Sequence, residues 1–215
     1  GEQFKPTRDK QTALDAIFRN ADIKHGLTLF AKHEIGFLDL WEKGGRYYFH
    51  CLIRQKKIVA KPEEIIRQLC IKRLLDLGYA PEQMALEVGV KMGSSDHSKA
   101  ADIVIYREAT LRLTPYIIVE LKRPSRKDGI DQLESYMNAT GVPFGWWLNG
   151  RDELIRYREE PNIFTSIDRL PAAGEVTFYF ATDSSRLFTS PDLVVGPVTL
   201  EAAAVDASGR AAAPA

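Results

Sequence analysis

Glu120-Leu121-Lys122 closes a short apolar run, Tyr116-Ile117-Ile118-Val119, and a lone acid, Asp102, opens an earlier run, Ile103-Val104-Ile105-Tyr106. In a pleated strand alternate side chains share a face, so Glu120 and Lys122 project together while Val119 and Leu121 project the other way. Two carboxylates from neighbouring strands can hold a hard cation such as magnesium, which prefers oxygen ligands and keeps several waters for a substrate phosphate to displace. The chemistry this arrangement suits is metal-assisted hydrolysis of a phosphodiester, with an ammonium group beside the attacking water and the charge that builds on phosphate. E-x-K is also common at ordinary solvated strand ends, so the surrounding elements must carry the case.

Those elements are legible. Thr7 to Asn20 has helical spacing at Leu14, Ile17 and Phe18, and two strand-like stretches, Phe37 to Trp41 and Arg46 to Leu52, flank Lys43-Gly44-Gly45 as a hairpin. Everything before Lys61 reads as an N-terminal embellishment. A helix starts at Pro62, whose fixed φ suits a first turn. Glu63 and Glu64 complement the positive end of its dipole, and Gly78 ends it. Strands follow at Met84 to Val90, Asp102 to Tyr106 and Tyr116 to Lys122, with a polar loop, Gly93 to Ala100, between the first two. Ser125 to Thr140 reads as a helix with an Ile130, Leu133, Met137 stripe. Gly145 to Leu148 is a fourth strand, Asn149-Gly150 a turn into Leu154 to Tyr157, and Val176 to Phe180 a last strand. The expected fold class is α+β, one mixed sheet flanked by helices.

Composition sets bounds. The chain has 215 residues, 45% hydrophobic and 27% charged, enough for one substantial core. Apolar runs are only strand-sized, so no membrane span is expected. Neither a signal peptide nor a short-spaced cysteine pair is present; Cys51 and Cys70 fit reduced thiols, and the expected location is cytoplasmic. His25, His33, His50 and His97 are scattered without zinc-site spacing. The 29 basic residues balance 29 acidic ones, which is not the usual footprint of a nucleic-acid enzyme. Local basic clusters at Arg54, Lys56, Lys57 and Lys61, at Arg67, Lys72 and Arg73, and at Arg123, Arg126 and Lys127 could still supply phosphate contacts.

Four segments in order, Lys61-Pro62-Glu63-Glu64-Ile65-Ile66-Arg67-Gln68, Lys99 to Tyr106, Val119-Glu120-Leu121-Lys122-Arg123-Pro124 and Asp131-Gln132-Leu133-Glu134-Ser135-Tyr136, resemble the PD-(D/E)xK nuclease superfamily. More narrowly, from about Lys61 to Arg158 the chain resembles the N-terminal nuclease domain of type I restriction enzyme R subunits. The resemblance implies a restriction-endonuclease-like core and a magnesium-dependent endodeoxyribonuclease, with manganese an acceptable substitute. It implies Asp102 and Glu120 as metal ligands, Lys122 as the base or water-orienting group, and Gln132 and Tyr136 as a Q-x-x-x-Y motif needed for cleavage. Ala101 stands where the motif expects proline, which leaves the acid itself in place.

Nucleases of this type often add an acid from the first helix. At about 100° per residue, Glu63 lies at the edge of the stripe formed by Ile65, Ile66, Leu69, Cys70 and Leu77, and Glu64 points nearly opposite, which favours Glu63. Four residues apart, Gln132 and Tyr136 share a helix face displaced from the apolar stripe. Trp146 and Trp147, adjacent on a strand, must face opposite sides. The resulting division is 1–60 embellishment, 61–182 nuclease core and 183–215 an extension ending in an Ala-rich linker or tail. The expected partners are double-stranded DNA and a helicase motor or a methyltransferase and specificity module, since these 215 residues contain no P-loop. The competing expectation is a catalytically silent nuclease-fold module that serves DNA binding or assembly.

Overall fold

Strand β7 (Pro115–Leu121) is buried at six successive residues from Tyr116 to Leu121, which explains its unbroken apolar run: it is covered on both faces. It lies inside a six-stranded sheet with β5 (Met84–Val90), β6 (Lys99–Tyr106), β8 (Phe144–Leu148), β9 (Glu153–Glu160) and β10 (Ile163–Ile167), in the order β10-β9-β8-β7-β6-β5. Only the β7–β8 pairing is parallel, and helix α4 (Ile130–Thr140) makes that crossover, as parallel neighbours require. The sheet is therefore mixed, with β5-β6-β7 as an antiparallel meander. The structure, a computed structural model, describes residues 3–19, 27–90, 99–110 and 112–175, and the backbone of 177–178 and 198–199.

The helices take opposite faces. Leu133, Tyr136 and Met137 of α4 pack with Val104, Ile118 and Trp147. Helix α3 (Pro62–Asp76) covers the other face, where Arg73 and Leu77 meet Trp146 and Ile155 around a cavity of about 390 Å³. Each tryptophan thus serves one face, and both are buried. From Ile65 to Ile71 every residue of α3 is buried, polar Arg67 and Gln68 included, because the helix is enclosed on all sides. Part of that enclosure is a second sheet, β1 (Lys5–Pro6), β2 (Leu40–Lys43), β3 (Arg46–Cys51) and β4 (Lys56–Val59). Gln68 joins it to α3, donating to His50 O at 3.2 Å and accepting from Leu52 N–H at 3.3 Å.

Several local expectations are met and others move. Gly44 and Gly45 both take positive φ, 57° and 67°, as a two-residue hairpin turn demands. Helix α1 (Lys10–Phe18) is shorter than its periodicity, since Asp9 caps it by accepting from Gln11 and Thr12 N–H. The helix expected from Ser125 begins only at Ile130: Gly129, at φ 101°, interrupts the chain, and 122–129 is irregular. Strands β1, β4 and β10 and the short helix α2 (Lys32–Gly36) were not anticipated. Of the expected polar loop, 93–98 lie outside the described residues, as do His25, Lys91, His97 and the Ala-rich end, while Lys99 and Ala100 belong to β6. Thr177 and Phe178 of the last expected strand are extended, with Val176, Tyr179 and Phe180 outside the described residues.

The chain divides into two compact units, Gly1–Leu170 and Pro171–Ala215. Within the second, Ala172 N–H donates to Glu175 at 2.8 Å, and β11 (Thr177–Phe178) pairs antiparallel with β12 (Val198–Thr199). Cys51 and Cys70 are free and buried, and burial pushes the Cys70 thiol well up. Among the described residues no helix is long and apolar enough to cross a membrane.

Helix α4 can sit flat on β8 because residue 145 is glycine. A Cβ there would run into Met137 Sδ and lie 3.1 Å from Leu133, both fully buried. Gly145→Ala is therefore expected to cost about 1–3 kcal/mol of stability, as overpacking does. A urea titration checks this, with a lower midpoint at unchanged slope expected.

Candidate active site

Where β6 and β7 separate, carboxylates replace backbone pairing. The register runs through Ile105↔Ile117 and Val104↔Ile118 to Ile103↔Val119 and stops there. The next residue on β6 is Asp102. Its Oδ2 accepts from Leu121 N–H at 2.8 Å, supplying the acceptor that a continued ladder would have provided. The acid is thereby fixed to the backbone of the residue between Glu120 and Lys122. Lys122 N–H still pairs with Leu148 O at 3.0 Å, so that residue stays tied to β8.

Glu120 is 1% exposed. Its Oε1 accepts from Lys122 Nζ, and its Oε2 is buried with no hydrogen-bond partner. Burial pushes the Glu120 carboxyl up to about 7; the adjacent Lys122 opposes this, and the Asp102 charge adds to it. Gly129 forms the wall beside the pair. A Cβ at that position would lie 2.6 Å from Lys122 Cε, 3.3 Å from Nζ and 3.5 Å from Glu120 Cγ. Glycine is needed there twice over, for the positive φ and for the approach of the lysine.

A cationic network meets the site from α3. Arg67, 5% exposed, donates from Nη2 to Asp102 Oδ1 at 2.6 Å and from Nη1 to Glu64, with Glu87 at 3.5 Å. Arg54 closes the circuit by pairing with Glu64 at 3.0 Å and Glu87 at 3.1 Å. Three carboxylates thus surround two guanidinium groups. Glu87 takes φ 55°, and its pairing with Asp102 is missing from an otherwise continuous β5–β6 register. Arg67 Nε remains unpartnered, so the network is not saturated.

The structure separates the two acids of the first helical turn. Glu64 joins Asp102 through Arg67, whereas Glu63 is about half exposed and faces Arg123 at 3.9 Å, just beyond Lys122. Gln132 and Tyr136 come together: Gln132 Nε2 donates to Tyr136 OH at 2.6 Å, and that hydroxyl donates to Ala100 O at 3.3 Å. Tyr136 is a core residue with a polar tip rather than a member of a solvated face. Burial, then the nearby Glu120 charge, pushes its hydroxyl up to about 12, so it stays a donor. The pair ties α4 to β6 two residues before Asp102.

Two positioning residues had no obvious signal in the sequence. Asn149, read as a turn residue, is fully buried. Its Oδ1 accepts from Arg151 and Asp152 N–H, and its Nδ2 donates to Arg126 O at 2.7 Å, anchoring the segment after Lys122. Trp147 Nε1 donates to Asp128 O at 2.9 Å, anchoring the same segment farther along. The basic clusters change meaning as well. Arg54 and Arg67 are committed to the network, Lys72 to Asp76, Arg73 to Glu34 and Arg126 to Asp128, and these charges are already paired within the protein.

Every residue of the Asp102–Glu120–Lys122 site and its network except Arg54 falls inside residues 62–171, and that segment matches the family described as Type I restriction enzyme R protein N terminus. The chain belongs to that family. The match begins at the first turn of α3 and runs through β10, so it takes in the whole six-stranded sheet and leaves the β1–β4 sheet outside. As a type I R-protein N-terminal domain, it shares the family's association with restriction–modification. No curated protein and no solved structure matches the chain.

Burial of Glu120 sets a pH dependence. Its pKa is raised from 4.5 to about 7, so the folded protein holds a proton that the unfolded chain has released, and stability falls as pH rises across that window. In chelator, Glu120→Gln is expected to be more stable than wild type by roughly 3 kcal/mol above about pH 7, the gain vanishing at or below the ordinary carboxylate range. Urea unfolding at both ends of the window checks it. A variant less stable than wild type above pH 7 would mean that the ionised carboxylate is well accommodated.

Proposed function

We propose that this domain is a magnesium-dependent endodeoxyribonuclease of the PD-(D/E)xK kind, serving a restriction–modification enzyme. The observation that carries this reading is Glu120 Oε2, a buried carboxylate oxygen without a partner, beside a lysine and one residue from the amide that Asp102 holds. A carboxylate held at that cost is built to receive a cation.

The donor set fits a hard cation. Asp102 and Glu120 offer only oxygen, and among the described residues no third His, Cys, Asp or Glu completes a cluster around them. Two carboxylates with the remaining positions left to water and phosphate suit magnesium, whose bound water is easier to deprotonate and which offsets charge on the phosphate. The chain's own residues would do the rest. Lys122 Nζ, steadied by Glu120 Oε1 and the wall at Gly129, orients the water that attacks phosphorus as a P–O ester bond breaks. Gln132 and Tyr136 hold α4 against β6 and so keep Asp102 in register. Glu63, at the open edge beside Arg123, is the acid nearer solvent, and Glu64 acts through Arg67. Double-stranded DNA is the substrate in this reading. A helicase motor, or a methyltransferase and specificity module, is the partner.

One observation favours the competing reading, a nuclease fold that has become a silent binding or assembly module. Arg67 already occupies Asp102 Oδ1, and Leu121 N–H occupies Oδ2, so this acid is satisfied without a metal. Thermal unfolding against magnesium or manganese separates the readings, because a ligand of the folded state raises apparent stability. The nuclease reading expects a metal-dependent rise that is lost in Glu120→Gln. No rise in wild type, or an equal rise in the variant, favours the silent module.

Cleavage is the second test. Asp102→Asn, Glu120→Gln and Lys122→Met are each expected to lower phosphodiester cleavage by the intact enzyme at least 100-fold, in keeping with loss of a charge-stabilising group. Asparagine is preferred to alanine at 102, since truncation would strip a buried guanidinium of a partner, and breaking a buried pair costs about 3–5 kcal/mol. Full cleavage by any of the three variants would sink the assignment.

A further inference from the structure

The N-terminal sheet has one face committed to the core and one facing solvent. Leu40, Phe49 and Cys51 are buried on the first. The register Trp41↔Tyr48, Lys43↔Arg46 and His50↔Lys57 places the alternate residues together on the other. That outer face carries the rings of Phe4, Trp41, Tyr48 and His50, and three cations, Lys43, Arg46 and Lys57. No acidic residue falls on it within the paired registers, and among the described residues none of the three cations makes an ion pair. The solvent side of an antiparallel sheet is ordinarily mixed and polar. A half-exposed sheet face of aromatics and uncompensated positive charge fits a polyanion that also offers flat apolar surfaces.

The rings are held ready. Phe4 meets Tyr48 edge-on at 5.1 Å between centroids; Lys57 Nζ rests 3.5 Å from the Trp41 centroid and 4.5 Å from that of Phe4, with Lys43 Nζ 4.9 Å from Phe4. A base laid on Trp41 would displace an exposed cation–π contact, which is weaker than base stacking, and the released Lys57 head would move to the adjoining phosphate. Duplex DNA cannot use the rings this way because its base faces are already stacked. Strand β4, which carries Lys57, ends at Val59 and leads through Ala60 and Lys61 into the first turn of α3. There a cavity of about 350 Å³ is lined by Val59 and Lys61, by Lys56 and Ile58 from the opposite sheet face, and by Arg54, Glu64 and Glu87. The outer face thus meets this cavity, beside the Arg54–Glu64–Glu87 network, along one edge at Val59.

We propose that this outer face binds a single DNA strand, stacking bases on Trp41 and Tyr48 and holding phosphates with Lys43, Arg46 and Lys57, and that it guides that strand toward the site. The proposal rests on DNA being the substrate, but it concerns residues outside the segment that matches the family.

Fluorescence anisotropy of a labelled oligothymidylate, titrated with the 215-residue protein in chelator, tests it. The oligothymidylate is expected to bind more tightly than a duplex of the same length. Trp41→Ala and Tyr48→Ala should each weaken it about tenfold. Lys43→Gln combined with Lys57→Gln should lower the slope of log affinity against log salt by roughly 1.4. The lysine substitutions lie on the surface and carry the test even where an aromatic variant fails to fold. Unchanged affinity and slope in the lysine pair would overturn the proposal, as would equal or tighter duplex binding, or binding to anionic phospholipid vesicles with none to the oligonucleotide. Glu120→Gln, assayed beside them, keeps the two readings apart. If wild type cleaves DNA with magnesium, Glu120→Gln does not, and the face variants bind like wild type, only the face proposal falls. If the face variants lose binding while wild type never cleaves, the nuclease reading falls alone.

Discussion

A carboxylate buried at the end of the central strand is the constraint around which this domain is organised. Glu120 lies where β7 is covered by helices on both sides, and one of its oxygens has no hydrogen-bond partner. An ionised carboxyl in such a place is tolerated only with positive charge nearby. Lys122 is beside it because strand alternation returns every second residue to the same face, and Gly129 is glycine because any side chain would push that lysine away. The segment 122–129 is in turn pinned by Trp147 of β8 and by Asn149 just after that strand. Local chain geometry, packing and electrostatics therefore converge on one pair of residues.

The second carboxylate is treated differently. Asp102 is spread between a backbone amide and a guanidinium, and that guanidinium is shared with Glu64 and Glu87. Glu120 has one oxygen without a partner, whereas each oxygen of Asp102 has one. The asymmetry distinguishes an acid that waits for charge from one that is already neutralised. It also makes Arg67 the residue whose position decides how much of Asp102 is available to anything else.

Much of this was legible in the sequence, for identifiable reasons. Strands β5 to β8 and α3 have strong periodicity or clear terminal residues, and the Glu120–Lys122 juxtaposition follows from a period of two. Periodicity carries α4 back to Ser125, five residues too far, because Ser125 to Asp128 lack a strong breaker and the glycine that stops the helix has to be recognised by its φ, not its type. The burial of Tyr136 is invisible to an angular reading, which counts only the helix and not the β6 carbonyl that satisfies its hydroxyl. The pairing of Arg67 with Asp102 joins residues on α3 and β6, and no local spacing encodes a contact across that separation. Arg54, Lys72 and Arg73 looked like phosphate ligands for the same reason: a sequence displays charges without their partners.

Asn149 and Gly150 occupy what reads as an ordinary surface turn, the sort of place where an insertion or a reporter tag is usually tolerated. Here Asn149 is fully enclosed and braces the backbone of Pro124 and Arg126, while Gly150 O accepts from Leu29 N–H at 2.9 Å. The turn is a keystone between the chain that leaves the lysine and the N-terminal segment. Extra residues placed there would slacken the Glu120–Lys122 end of the sheet without touching either side chain, so protein engineers splicing this domain to others should leave that corner closed.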